Sequence, residues 1–249
     1  MRAIIPIILM FISSSVYASS FINYKVNNKD YEGYHTKPSG TAKGLVLLIH
    51  DWDGLTDYEV KRSKMLAAQG YQVFAADLYG KGNRPTATGA KKAETGKLYK
   101  DRAKMRSLIL GALDKARSLG GGDAVVMGYC FGGAATLELA RYGKAKNIKG
   151  YVSFHGGLTT PQDQSYSAKS GPIFIAHGGA DSSITMEHVA DIANQMEKAQ
   201  VVYDIEVYSG APHAFTVFGS KRYQKKADEK SWASFLSFLD MNLSKTTGI

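Results

Sequence analysis

The chain has 249 residues, a formal net charge of +9, and an ordinary globular balance of 44% hydrophobic and 21% charged residues, long enough for one α/β domain with a sizeable core. Its single Cys excludes an internal disulfide and any zinc site built on several cysteines. The basic residues are spread over helical segments such as Lys91-Lys92, Lys144 to Lys149 and Lys221 to Lys230 with no nucleic-acid motif beside them, so they read as solvated helix faces and no nucleic-acid partner is expected.

Met1-Arg2 followed by the apolar run Ala3 to Ile12 and by Val16-Tyr17-Ala18 has the pattern of a cleaved signal peptide over residues 1–18. The run is too short to span a bilayer, which takes about 20 residues. Export to a periplasm or the medium is the expectation, with no stable membrane insertion after cleavage. Removing Arg2 leaves +8. An exported protein that keeps one unpaired thiol exposes it to oxidation, so the thiol calls for a function.

The mature chain, 19–249, reads as one domain. Phe21 to Tyr34 alternates as two strands around Asn27-Asn28-Lys29-Asp30, a hairpin turn. Gly44 to His50 is a continuous apolar run suited to a strand covered on both faces. Asp57 to Gln69 predicts a helix with Asp57 as N-cap, Tyr71 to Asp77 a strand, and Leu78 to Gly89 a loop. Ala90 to Leu119 predicts helix broken near Gly96. Strands follow at Ile148 to Phe154, Pro172 to His177 and Val201 to Tyr208. Helices are expected at Ile184 to Ala199, opened by Ser182 or Ser183, and at Arg222 to Leu243. This alternation predicts a three-layer α/β/α domain, a mostly parallel sheet with helices on both faces, whose ligands bind beyond the carboxyl ends of the strands.

The most informative stretch is Asp123-Ala-Val-Val-Met-Gly-Tyr-Cys-Phe-Gly-Gly-Ala-Ala. It predicts a strand, a sharp turn and a helix from about Ala134 to Arg141, the G-x-nucleophile-x-G elbow with Cys130 in the place of the commoner Ser. Such a turn presents the thiol at a helix N-terminus and leaves the Phe131 N–H free for a developing oxyanion. A thiol nucleophile needs a base, and the base an orienting acid. Downstream, Asp181 follows a strand in His177-Gly-Gly-Ala-Asp, and His213 follows the last strand in Gly-Ala-Pro-His-Ala-Phe. The order nucleophile, acid, His is that of α/β-hydrolases. His155 and His177 precede Asp181 and are expected to be supporting residues at most; His35 and His188 read as surface positions.

The chain resembles the dienelactone hydrolase family of α/β-hydrolases from Tyr31 to the C-terminus. The resemblance rests on Gly-Tyr-Cys-Phe-Gly-Gly, His-Gly-Gly-Ala-Asp, Gly-Ala-Pro-His-Ala-Phe and Asp77-Leu-Tyr-Gly. It implies the α/β-hydrolase fold, a Cys130–His213–Asp181 triad, and hydrolysis of a small ester or lactone through a thioester, with no cofactor or metal. It also implies that Asp51, one methylene shorter than the family's glutamate, contacts the resting thiol. The N–H of Trp52 then completes the oxyanion hole with that of Phe131. Where dienelactone-specific members place two arginines, this chain has Lys81 and Val217. The acyl pocket is therefore expected to be less cationic and the ester neutral or larger, with Lys81 and Tyr129 as candidate pocket residues. A monomer acting on a small molecule is the expectation. The competing readings are a binding or redox-sensing homologue without turnover, and an acyltransferase or peptidase on the same triad.

Overall fold

The hairpin turn forms where two asparagines can adopt left-handed backbone. In the computed structural model, which describes residues 18–243, Asn27 and Asn28 have φ of 48° and 62°. They join β1 (Ser19–Val26) to β2 (Lys29–Thr36) in antiparallel register from Ser19↔Thr36 to Val26↔Lys29. The expected signal segment otherwise lies outside the described residues, apart from Ala18, whose carbonyl accepts from the Lys37 N–H at 2.9 Å.

The remaining strands are β3 (Leu45–Ile49), β4 (Gln72–Ala76), β5 (Ala124–Tyr129), β6 (Ile148–Phe154), β7 (Ile173–Gly178) and β8 (Tyr203–Tyr208). Their order is β1-β2-β4-β3-β5-β6-β7-β8. Pairing is antiparallel from β1 to β4 and parallel from there to β8. The unbroken apolar run of β3 has its reason in the two cores. Leu45, Leu47 and Ile49 face one, Val46 and Leu48 the other, and all five are fully buried.

The helices are α1 (Asp57–Ala68), α2 (Thr88–Lys100), α3 (Arg102–Ser118), α4 (Phe131–Tyr142), α5 (Met186–Lys198) and α6 (Lys225–Leu243). Those numbered α2 to α5 cover the first core, and α1 and α6 the second. This is the three-layer α/β-hydrolase architecture.

Several boundaries differ from the sequence reading, each for a local reason. The N-cap of α1 is Thr56, not Asp57: its hydroxyl accepts from the Tyr58 N–H at 3.3 Å while the Glu59 carboxylate accepts from the Thr56 N–H at 2.7 Å, a capping box. The break between α2 and α3 falls at Asp101, whose carboxylate accepts from the Lys104 N–H at 2.9 Å, while Gly96 lies inside α2. Helix α4 begins at Phe131 because Cys130 is itself the N-cap. Helix α5 is capped by Thr185, since the N–H groups of Ser183 and Ile184 are turned to Asp181. His35 is buried, because β2 is an interior strand; its Nε2 meets Gln72 at 3.1 Å. His188 is half-buried and its Nδ1 accepts from the Thr185 N–H.

Candidate active site

Cys130 stands between β5 and α4 with φ 51° and ψ −111°, a conformation that costs a non-glycine residue on the order of 1–3 kcal/mol. Its glycine neighbours let the surroundings hold it there. A Cβ on Gly128 would lie 2.2 Å from the backbone of Gly132, and one on Gly132 would lie 2.2 Å from the Ile49 carbonyl oxygen. A Cβ on Gly133 would meet Ser153 Oγ at 2.6 Å. The first turn of α4 is thus pressed against the ends of β3, β5 and β6, and the elbow has no room to relax.

The loops after β7 and β8 bring the other two groups to this point. His213 Nε2 is 3.2 Å from Cys130 Sγ, and its Nδ1 is 2.7 Å from Asp181 Oδ2. The other carboxylate oxygen, Oδ1, accepts from the N–H groups of Ser183 at 2.9 Å and Ile184 at 3.0 Å. Burial acts to raise the Asp181 pKa, but the bonds from His213, Ile184 and Ser183 outweigh it and hold the carboxyl at about 2. Burial likewise acts to lower His213, and its bonds to Asp181 and Cys130 bring it instead up to about 9. The three residues proposed from sequence are therefore in contact in the order acid, imidazole, thiol.

The exit of β3 is fixed by a buried imidazole. His50 Nδ1–H donates to the Asp51 carbonyl at 2.6 Å, and His50 Nε2 accepts from the Leu78 N–H at 3.1 Å. Both bonds together require the neutral ring, and burial lowers its pKa accordingly. Tyr79 Oη donates to the Trp52 carbonyl at 3.1 Å. Neither the Trp52 nor the Phe131 N–H has an acceptor among the described residues. Both belong to segments that Gly132 holds together.

Asp51 lines the same cavity as Cys130 but makes no hydrogen bond to it among the described residues. Its Oδ1 accepts from the Asp53 N–H at 3.0 Å, inside its own turn, and Sγ points to His213. The hydrogen bond to the resting thiol that the family resemblance implied is absent among the described residues. The shorter side chain folds back on its backbone. Burial above all, with Asp53 and Glu59 nearby, pushes the Asp51 carboxyl far above the ordinary range.

The cavity has a volume of about 350 Å³. Val217 lines it, but Lys81 does not: its Nζ lies half-exposed, 3.9 Å from Glu32. Tyr129 does not line it either. As the last residue of β5 it points into the second core and is fully buried against Tyr58, Phe154 and His155. Arg84 is spent on carbonyl groups of Leu55 and Asn83 and on Asp77. The cations that do line the cavity are Lys91 and Arg222, in place of the expected Lys81. Lys91 pairs with Asp53 at 3.2 Å and lies 5.2 Å from the Trp52 ring centre. Arg222 makes no side-chain ion pair or hydrogen bond among the described residues. Neither stands in a motif; each reaches the site from an element distant in sequence.

Residues 31–243 match the model of the dienelactone hydrolase family. The Escherichia coli (strain K12) protein named "Putative carboxymethylenebutenolidase" is 26% identical over 239 residues, covering 88% of this chain and 86% of that protein. The Bradyrhizobium sp protein named "Probable 2-oxo-3-(5-oxofuran-2-ylidene)propanoate lactonase" is 25% identical over 245 residues, covering 91% and 95%. The solved structure m3DLH superposes with a TM-score of 0.83 at 26% identity, over 92% of this chain and 99% of that one. With the elbow, the loop acid and the loop histidine all in place on this fold, the chain belongs to the dienelactone hydrolase family and is a hydrolase of lactones or esters.

Proposed function

We propose that the protein is an exported thiol hydrolase that cleaves a small carboxylic ester or lactone through a thioester on Cys130. The observation that carries this reading is the continuous contact from Asp181 through His213 to Cys130 Sγ, at 2.7 and 3.2 Å. His213 Nε2, brought up to about 9, holds the proton drawn from the thiol at neutral pH, and the thiolate attacks the substrate carbonyl carbon. The oxygen that gains charge sits against the N–H groups of Trp52 and Phe131. Collapse breaks the bond to the alcohol oxygen, which leaves with the proton from His213. His213 then takes a proton from water, hydroxide attacks the thioester, and the acid departs as Cys130 regains its thiolate form beside the protonated His213, the state in which the cycle began. In a lactone the acid and the alcohol leave as one molecule.

The cavity carries one cation without a partner among the described residues, Arg222, beside the Lys91–Asp53 pair. This supports a substrate with an anionic group some distance from the reacting carbonyl. Export is supported by where the fold begins: cleavage after Ala18 leaves β1, starting at Ser19, complete. N-terminal sequencing of the processed protein checks this, and a start at Met1 would refute it.

The test of the mechanism is a burst assay with p-nitrophenyl acetate on the wild type and Cys130→Ser, with mass spectrometry of the quenched enzyme. An acyl group on Cys130 and loss of turnover in the variant are expected. Full turnover in Cys130→Ala would sink the reading.

A further inference from the structure

Beneath the His213 loop runs a row of polar side chains that the reaction never touches. Arg62, wholly buried on the inner face of α1, ion-pairs through Nη2 with Asp228 of α6, and the same nitrogen donates to the Thr216 carbonyl oxygen at 2.8 Å. Its Nε–H donates to Tyr58 Oη at 3.3 Å. Tyr58 Oη is 2.7 Å from Thr216 Oγ1, which is 2.8 Å from His155 Nε2. The row ends at His213, whose ring meets that of His155 at 5.4 Å and 66°, edge against face.

The direction of this chain follows from its first member. A guanidinium only donates, so Tyr58 oxygen accepts from Arg62. The Tyr58 proton is then free to pass to Thr216 Oγ1, 2.7 Å away. Thr216 in that arrangement donates to His155 Nε2, and the ring proton stands on the buried Nδ1, which has no side-chain hydrogen-bond partner among the described residues. With its Nε2 lone pair engaged, His155 is neutral. Burial first, and the charge on His213 second, keep it so. The groups that face it are His213 and Asp181 from the loops after β8 and β7, Tyr129 from β5, and Arg62 from α1. A charged His155 would repel the His213 imidazolium that each half-reaction requires.

The loop itself needs holding. Ala214, next to His213, has φ 62°, and His155 has φ 40°, values that residues with a side chain rarely adopt. Thr216 is gripped twice, at its carbonyl by Arg62 and at its hydroxyl by Tyr58 and His155. We propose that His155 is a positioning residue for His213, fixed by the Arg62–Tyr58–Thr216 chain so that His213 Nε2 stays aimed at Cys130 Sγ. This rests on the thiol-hydrolase reading of the same site.

The test is Thr216→Val, which keeps the shape and removes the hydroxyl link, with Thr216→Ser as the rescue. In folded Thr216→Val, kcat for p-nitrophenyl acetate should fall by about 10- to 100-fold with KM within about twofold, since a small misplacement of the base costs the chemical step and not binding. The bonds to Asp181 and Cys130 bring the His213 imidazole up to about 9, and NMR can follow its titration. It should fall by about one pH unit as the bonds to Asp181 and Cys130 loosen. Thr216→Ser should restore both. His155→Phe, which keeps a ring without the bond, should show the same titration change. If it fails to fold, the Thr216 pair carries the test alone. An unchanged titration in folded Thr216→Val overturns the proposal whatever its kcat, as does a Ser variant as impaired as the Val one. The titration needs no turnover. A protein that hydrolyses no ester yet shows the shift loses the hydrolase reading and keeps the positioning; one that turns over without the shift loses only the positioning.

Discussion

Two loops, after β3 and after β7, each set an aspartate beside the same cavity at nearly the same depth. Asp51 is 8% exposed and Asp181 5%. Asp181 receives three N–H donors, one from His213 and two from its own turn, and stays ionised down to about pH 2. Asp51 receives one backbone N–H and faces Asp53 and Glu59, so its carboxyl holds a proton at neutral pH. Burial works in the same direction on both. What separates them is the number of donors and the sign of the neighbours. The loop after β7 therefore supplies a fixed negative charge behind the imidazole, and the loop after β3 supplies neutral backbone polarity in front of the thiol.

The same substitution placed on the two loops breaks or confirms that contrast. Asp181→Asn should lower kcat by about 10³- to 10⁴-fold, the cost of losing the acid that orients a catalytic histidine. Asp51→Asn should leave kcat within about tenfold, because the group it replaces is already uncharged and is not bonded to Cys130. Steady-state kinetics on both variants at neutral pH decides this. Equal losses would mean that Asp51 carries a proton to or from the thiol during the reaction.

Stability should divide the two loops as well. Asp181 is lowered from 3.8 to about 2, so its contribution is complete above pH 3.8 and is lost as pH falls through about 2. His213 is raised from 6.5 to about 9, so its contribution is complete below pH 6.5 and is lost as pH rises through about 9. These are two faces of one hydrogen-bonded pair, worth roughly 2–3 kcal/mol counted once. A raised carboxyl has the opposite effect. Asp51 binds its proton more tightly in the folded state, so it detracts from stability increasingly as pH rises above 3.8. At pH 7.5, urea unfolding should therefore show Asp181→Asn destabilised by about 2 kcal/mol and Asp51→Asn stabilised by about 1 kcal/mol or more. In the wild type, a flat profile between pH 6.5 and 9 would contradict the His213 assignment.

The sequence made the loop after β7 easier to read than the loop after β3. Cys130, Asp181 and His213 each follow a strand in a glycine-rich motif, and chain order alone sorts acid from base. The elbow glycines are legible because the close approaches they allow admit no other residue. Asp51 was found by family likeness, but its charge was not, since that depends on Glu59 and Asp53 folding back upon it. Arg62 was missed altogether. Its signal is a charged residue on the buried stripe of α1 with Glu59, Ser63 and Leu66, spacing that usually marks apolar positions. Its partner Asp228 lies 166 residues away, a pairing no local pattern encodes. Tyr129 was misplaced because the elbow reverses the chain: the side chain before the nucleophile goes under the sheet as the nucleophile rises above it.

The smallest expected effect concerns the cations on the cavity wall, where the two sides of the cavity again differ. Lys91 belongs to the β3 side and is already paired with Asp53, whose carboxyl burial would raise but which Asp51 and Lys91 together hold low. Replacing it should cost the enzyme chiefly through Asp53, for neutral and anionic substrates alike. Arg222 belongs to the β8 side, is exposed, and has no acceptor of its own among the described residues. A solvated ion pair of this kind is worth about 1 kcal/mol. Arg222→Gln should therefore raise KM about fivefold for an ester bearing a carboxylate and leave KM for p-nitrophenyl acetate unchanged, with kcat the same for both. Adding salt should weaken the wild-type preference and leave that of the variant alone. If the two substrates respond equally, the anionic group is held elsewhere. If Lys91→Gln alone discriminates between them, it is the β3 side, with its Lys91–Asp53 pair opened by substrate, that reads the charge.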